Sequence, residues 1–315
     1  MKNYAKALSI VLVLVLFTAM AAASSSKSGE TKAISTDTDI VTVTDSNNAD
    51  TDADATTAPE ETTAPAAADI TIAEQVLLDH EGVVITATEY TTDSIWGDGI
   101  KVLIENNSDA DVGIGCTALI VNNYMINDLF VSSIAAGKKA NETIYFSSSE
   151  LKAAGIETIG QVEIYFHLYN PDDFMTFYEA DVATIQTSTF ADMDTAPNDA
   201  GEELFNQDGI RIVGKYTDES SFWGTSMLLY IENTSGANVG VSCDNMSING
   251  FMVSPLFAST VYNNKMAISA ITIFSSDLED NDITTVEDVE LAFRIYDADT
   301  YSTIVESDAI AFKVK

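Results

Sequence analysis

Histidine, cysteine and tryptophan occur only twice each in these 315 residues, and Lys and Arg together number 14. Each shortage excludes something. With Cys116 and Cys243 in separate halves of the chain, no half can close its own disulfide, and strand-interior positions of separate domains rarely come within bonding distance. Both are expected to be reduced, shielded thiols acting as small hydrophobes, because a nucleophilic cysteine needs basic surroundings that this chain hardly offers. Cations so few and scattered argue against nucleic acid as a partner, and against binding to anionic membrane surfaces. The formal charge of −35 favours solubility and would attract divalent cations, but it defines no metal site. Gly-x-Ser-x-Gly, His-Glu-x-x-His and phosphate-cradling glycine loops are all missing. No catalytic residue, cofactor or metal ligand is therefore assigned.

What the chain does have is itself, twice. Ile104-Glu105-Asn106-Asn107-Ser108 returns as Ile231-Glu232-Asn233-Thr234-Ser235, and the offset of 127 residues holds without a gap to either side. It carries Trp96-Gly97 onto Trp223-Gly224, Cys116 onto Cys243, Asn122 onto Asn249, Met125 onto Met252, Phe166 onto Phe293 and Tyr169 onto Tyr296. The units run over 75–188 and 202–315, each large enough to bury a core of its own. Between them, 189–201 is polar and reads as a linker rather than a packed interface.

The first 23 residues have the order of a secretory signal. Lys2 and Lys6 precede an apolar run from Leu8 to Phe17, and small residues offer cleavage after Ala21 or Ala23. The rival is an uncleaved anchor, since the run approaches the shortest membrane span. No cysteine stands at the cleavage region for lipid attachment, and the second repeat reaches Lys315, leaving no room for a C-terminal anchor. Residues 24–74 are mostly Ser, Thr, Asp, Ala and Pro with few large apolar side chains, a composition that cannot offset its ordering entropy and is expected to stay a disordered acidic stalk. Asp50, Asp52, Asp54 and Glu61 match an EF-hand count, but Ala55 replaces the turn glycine and Pro59 interrupts the loop, so a solvated linker is the better reading.

Inside each unit the periodicity is two. Val83, Ile85 and Ala87 alternate against Val84, Thr86 and Thr88, and Ile100, Val102 and Ile104 form one face of the next strand, as do Met227, Leu229 and Ile231 in the second copy. Asn106-Asn107-Ser108-Asp109 reads as a turn, and Asn122-Asn123 and Asn249-Gly250 as type I′ hairpin turns. Further strands are expected over 143–146, 162–168 and 175–185. The one helical signal is Ser148-Ser149-Glu150-Leu151-Lys152-Ala153-Ala154-Gly155, with a Ser cap and a terminal Gly; the second copy, Ser275-Ser276-Asp277-Leu278, keeps the cap but has Asp282 in place of the Gly. Seven or eight short strands per unit predict an all-β fold: two tandem antiparallel immunoglobulin-like sandwiches.

On the repeated Ile-Glu-Asn-x-Ser segments at 104–108 and 231–235, and on its signal–stalk–sandwich order, the chain resembles the immunoglobulin-like or telokin-like β-sandwich domains of secreted and surface proteins of Gram-positive bacteria. The resemblance covers about two thirds of the chain and implies a location and a fold rather than an activity. The lipoprotein members' lipid-bearing cysteine has no counterpart here.

Candidate chemistry is thin. His80 aligns with Gln207 and His167 with Arg294, so neither histidine is tied to the shared architecture, and His167 reads as a solvated strand position. Glu105 and Glu232 could be compared with a glycosidase pair, but the repeat places one in each domain, where each reads as a strand-end carboxylate. Trp96 and Trp223 are either core fillers, the favoured reading, or flat surfaces for stacking on sugar. With Tyr124 and Phe251, which follow the hairpin turns, they are the candidate ligand-binding residues. The expected function is that of a non-enzymatic secreted or surface binding or structural protein, whose partner is an extracellular protein or glycan. A polysaccharide-acting hydrolase or its carbohydrate-binding accessory, and a cation-dependent adhesion or scaffold protein, are the alternatives. The mature chain should begin between Ala22 and Ser24 and be found outside the cell; N-terminal sequencing of the exported protein checks this, and an intact Met1 in the membrane fraction would show an anchor.

Overall fold

Period-two alternation does produce strands, and almost nothing else. The computed structural model describes residues 31–35, 70–127, 130–218 and 224–314. The signal segment, the acidic run at 50–61 and Trp223 lie outside the described residues. A short strand, β1 (Thr31–Ser35), precedes two sandwiches. The first contains β2 (Gln75–His80), β3 (Val83–Asp93), β4 (Gly97–Asn106), β5 (Val112–Val121), β6 (Tyr124–Ile126), β7 (Val131–Ile134), β8 (Lys139–Tyr145), β9 (Gln161–Tyr169), β10 (Thr176–Glu179) and β11 (Ala183–Gln186). One sheet is β2-β3-β4-β8. In the other, β5 lies between β9 and the β6 and β7 strands, and β10 and β11 line the far edge of β9. With β3, β4 and β8 as strands A, B and E, and β7, β5, β9 and β10–β11 as C′, C, F and G, this is the immunoglobulin arrangement with β2 added outside strand A.

The second sandwich repeats the plan with β12 (Glu202–Gln207), β13 (Ile210–Asp218), β14 (Gly224–Asn233) and β18 (Lys265–Phe274) in one sheet. The other holds β15 (Val239–Ile248), β16 (Phe251–Met252), β17 (Ala258–Val261), β19 (Asp288–Asp297), β20 (Thr303–Glu306) and β21 (Ile310–Val314). Helices α1 (Ser148–Ala154) and α2 (Ser275–Asp280) occupy the same place in the two copies. Gly155 ends α1 in the left-handed conformation (φ 72°), as expected, whereas the N-cap is Ser147, one residue ahead of the expected stretch, and it makes no side-chain cap bond.

The duplicated asparagines are structural. Asn106 is fully buried: its Nδ2 donates to the carbonyls of Ala110 (2.8 Å) and Ile134 (2.9 Å), and its Oδ1 accepts from the Ser108 amide and hydroxyl (3.0 and 2.6 Å). Asn233 repeats every bond with Ala237, Val261 and Ser235. One side chain thus ties the turn after strand B to strand C′ with its hydrogen-bonding capacity used, the condition for burying an amide at low cost. Asn122 and Asn249 open the hairpins with positive φ (47° and 50°), followed by Asn123 (72°) and Gly250 (85°), as a type I′ turn requires.

Three expectations fail. The stalk is not wholly without structure: β1 pairs antiparallel with β13 through 31–33 and with β21 through 34–35, bridging the two sheets of the second sandwich. The first sandwich also draws in residues before 75, since Ile72 bridges Thr187. Third, the repeats are packed together. β6 runs parallel to the edge of β18, the one parallel pairing among the described strands, with Tyr124 opposite Met266 and Met125 opposite Ala267. The amide of Met266 donates to the Asn123 carbonyl (3.2 Å). Val213, Leu228, Tyr230, Met266 and Ile268 join the first core, and Ala118, Ile120 and Met125 join the second. Residues 189–201 cross this contact pinned at several points. The Asn198 amide donates to the Tyr124 hydroxyl (2.7 Å), Lys215 donates to the Asn198 carbonyl (2.8 Å) and Arg211 bridges Asp199 (2.6 Å). Lys265 reaches both oxygens of Glu163 (2.8 and 2.9 Å) in a largely covered ion pair.

The reason lies in what faces outward. In the second repeat Leu228, Tyr230, Met266 and Ile268 cover the outer side of a sheet, where the first repeat has Lys101, Leu103, Lys139 and Asn141. A sheet apolar on both sides has to be covered on both sides. Exchanging one such position between the copies isolates the effect. Ile268→Asn should cost about 2–4 kcal/mol in urea unfolding, because it buries an unpaired amide; the reciprocal Asn141→Ile, on the exposed copy, should stay within about 0.5 kcal/mol.

Candidate functional site

The hairpin between β3 and β4 projects the largest apolar side chains. Asp93 Oδ1 accepts from the amides of Ile95 (2.7 Å) and Trp96 (2.9 Å), which holds its carboxyl below the usual range and fixes the turn. Gly97 leaves the turn at φ 82°. Ile95 is 82% exposed and Trp96 58%, the indole leaning on Tyr145 at 6.1 Å between ring centroids. Trp96 is therefore a surface residue, not the core filler favoured from sequence. A turn residue on a two-strand ribbon has no second sheet above it to pack against.

The two residues after the hairpin turns separate sharply. Tyr124 is buried beneath the inter-sandwich contact, with its ring edge-on to Tyr230 at 6.3 Å and its hydroxyl accepting from Asn198. It is thereby removed from the candidate ligand contacts: in the first repeat this hairpin is already occupied by the second. Phe251 is 49% exposed and Met252 64%, because β16 pairs with β15 alone. The same hairpin is covered in one copy and open in the other.

Sequence reasoning missed a second aromatic arrangement on the outer face of each C′CFG sheet. The Tyr169 ring lies flat over Gly113, where a Cβ would come within 2.2 Å of it, and Phe174 stacks on Tyr169 (6.0 Å, 25°). Tyr296 lies likewise over Gly240, with Tyr301 stacked on it (6.0 Å, 20°) and the Arg294 guanidinium 4.9 Å from its ring centre. Phe174 (φ 57°) and Tyr301 (φ 60°) hold left-handed conformations that bulky residues seldom adopt. The matched glycines and aromatics at the 127-residue offset were the available signal.

The polar candidates do not converge. Glu105 is ion-paired with Lys139 on the outer face of the first sandwich, and Glu232 lies in the second sandwich. His80 stacks on Tyr178 (3.6 Å, 8°), and His167, expected in solvent, is half-buried over Gly115, 3.1 Å from the Thr117 hydroxyl. Desolvation lowers the His167 pKa. At one end of the first sandwich, a hollow of about 290 Å³ is lined by His80, Glu81, Asp109, Asp111 and Phe177. Among the described residues no group of three or more His, Cys, Asp or Glu is placed to hold a metal ion, and no helix is long and apolar enough to cross a membrane. Neither cysteine is in a disulfide; both are half-buried rather than shielded, because a bulge after Cys116 and another after Asp244 break the alternation.

Burial pushes the Cys243 thiol and the Tyr262 phenol each up to about 12, and raises Tyr124, Tyr165 and Tyr230 in the same direction. These groups are neutral when protonated, so the folded chain holds their protons more tightly than the unfolded one. Their stabilisation is complete below the ordinary thiol and phenol pKa values and is lost as pH climbs from about 9 towards 12. Melting temperature should fall over that window, and less steeply in a Tyr262→Phe/Cys243→Ser variant, when followed by circular dichroism.

No protein-family model matches the chain, and no curated protein matches it. Among solved structures it is similar to the Salmonella enterica SafA pilin in complex with the SafB chaperone, at a TM-score of 0.18 and 10% identity over 68% of this chain and 88% of that one. It is also similar to red sea bream transglutaminase, at a TM-score of 0.17 and 9% identity over 76% of this chain and 30% of that one. Likenesses this low carry no argument about function.

Proposed function

We propose that the chain is a non-enzymatic secreted or surface protein in which two fused sandwiches act as a rigid frame for a binding or structural face. The observation that carries this reading is the exposure of large apolar side chains at hairpin tips on a frame that is otherwise well packed: Ile95 and Trp96 on the first sandwich, Phe251 and Met252 on the second. Exposed apolar residues held by tight turns have little to contribute to stability and are suited to contact. The signal-like first residues and the Gram-positive surface-domain resemblance support an extracellular setting.

The test uses the mature chain on a glycan array and against immobilised polysaccharide, beside its Trp96→Ala variant. Unchanged melting with binding weakened tenfold or more, about 1.4 kcal/mol, supports contact through the indole. Polysaccharide hydrolysis that survives Trp96→Ala and is lost in Glu105→Gln or Glu232→Gln would replace the reading with a hydrolase.

A further inference from the structure

The contact between the two sandwiches has a donor side and an acceptor side, and the 127-residue offset supplies each of them twice. The donor side is the Asn122-Asn123 hairpin, β6 and α1 of the first repeat; the acceptor side is the edge of β18 and the outer face of β14 and β18. The second repeat's own donor side and the first repeat's own acceptor side take no part in this contact. We propose that they join different molecules. The Phe251–Met252 hairpin and α2 of one copy dock on the Lys101, Lys138 and Lys139 face of a second copy of this chain, head to tail.

The backbone is ready on both sides. Asn249 and Gly250 have the positive φ values of Asn122 and Asn123. Asp277 on α2 accepts from the Ser254 amide (2.8 Å), as Glu150 on α1 accepts from the equivalent Asn127 amide (2.7 Å), so helix and hairpin are tied together alike in both copies. On the acceptor side, Asn264 (φ 60°) precedes Lys265, whose amide donates to the Tyr262 carbonyl (3.1 Å). Gly137 (φ 68°) precedes Lys138, whose amide donates to the Ala135 carbonyl (3.0 Å). The Met266 amide, which donates to Asn123 inside the chain, corresponds to that of Lys139, which would donate to Gly250 of the neighbouring copy. This is strand addition at an open edge.

The side chains have changed on both sides together. Within the chain, Ala153 and Ala154 of α1 share an apolar cluster with Leu228, Met266 and Ile268. In the open pair, α2 presents Asp280 and Asn281 at the alanine positions, and the acceptor presents Lys101, Lys139 and Asn141 opposite. The Glu163–Lys265 ion pair has its counterpart in Glu290 and Lys138, both exposed. Two of the four lysines in 75–188, Lys101 and Lys139, share this face of a chain with a formal charge of −35, and Lys138 stands at its end. Glu89 and Glu105 share the face and pair with Lys101 and Lys139, but such exposed bridges are weak enough to exchange partners. Apolar packing has become acid on base. The internal contact is therefore permanent and the external one reversible, steered by charge and anchored by Phe251 and Met252. Donor and acceptor are different surfaces, so association is heterologous and extends from copy to copy.

The proposal deepens the structural-face reading by naming the partner, and its test reads mass rather than ligand binding, so the two can fail separately. Sedimentation velocity of the mature chain from micromolar to millimolar concentration should show oligomers that grow with concentration. Lys138→Glu/Lys139→Glu removes the acceptor and Phe251→Ser/Met252→Ser the donor. Each variant, with melting unchanged, should stay monomeric alone. Mixed in equal amounts they should give a dimer and nothing larger, because each retains only one working side. A wild-type chain monomeric throughout, either variant assembling like wild type, or a mixture that stays monomeric would overturn the proposal.

Discussion

The parallel pairing of β6 with the edge of β18 is the contact on which the rest of the molecule depends. It exists because the second repeat carries Leu228, Tyr230, Met266 and Ile268 on the outside of a sheet, where water would otherwise meet four large apolar side chains. Covering them fixes the neighbours. The polar 189–201 segment becomes a strap held by Tyr124, Lys215 and Arg211, and Glu163 closes on Lys265. Two cores exchange members across one seam, so the two sandwiches are packed on each other rather than strung as two beads.

Within each sandwich the organising element is a buried amide. Asn106 and Asn233 each make bonds that a backbone turn could not make alone, joining strand B to strand C′. Asn122, buried, and Asn249, exposed, make matching bonds between the hairpin and the start of strand F, accepting from Gly160 and Gln161 in one copy and from Glu287 and Asp288 in the other. The most visible sequence motif is thus architectural. At the buried turns of Asn106, Asn122 and Asn233 a side chain rich in donors and acceptors satisfies groups that would otherwise cost about as much as a lost strand bond.

What differs between the copies carries the functional argument. Tyr124 and Phe251 sit at one position of the repeat, yet the first is sealed in the seam and the second faces solvent. Lys139 and Met266 form the reverse pair. Each repeat carries both equivalent sides; one meeting of them is an apolar core, and the other two sides are polar and open.

The duplication can be read directly from the residues, and so can the all-β class, the type I′ hairpins and the helical turn ending at Gly155, because these follow from local rules: a period of two, and residues that tolerate positive φ. The second repeat's doubled apolar faces went unread, and Leu228 and Tyr230 took their meaning only from Met266 beside Tyr124. That the repeats pack together, that Trp96 lies outside, that Tyr124 lies inside and that residues 31–35 join the second sandwich are facts of long-range packing. Alternation says which side chains share a face of a strand. It does not say what covers that face, since the covering group stands more than a hundred residues away in the chain and is chosen by packing.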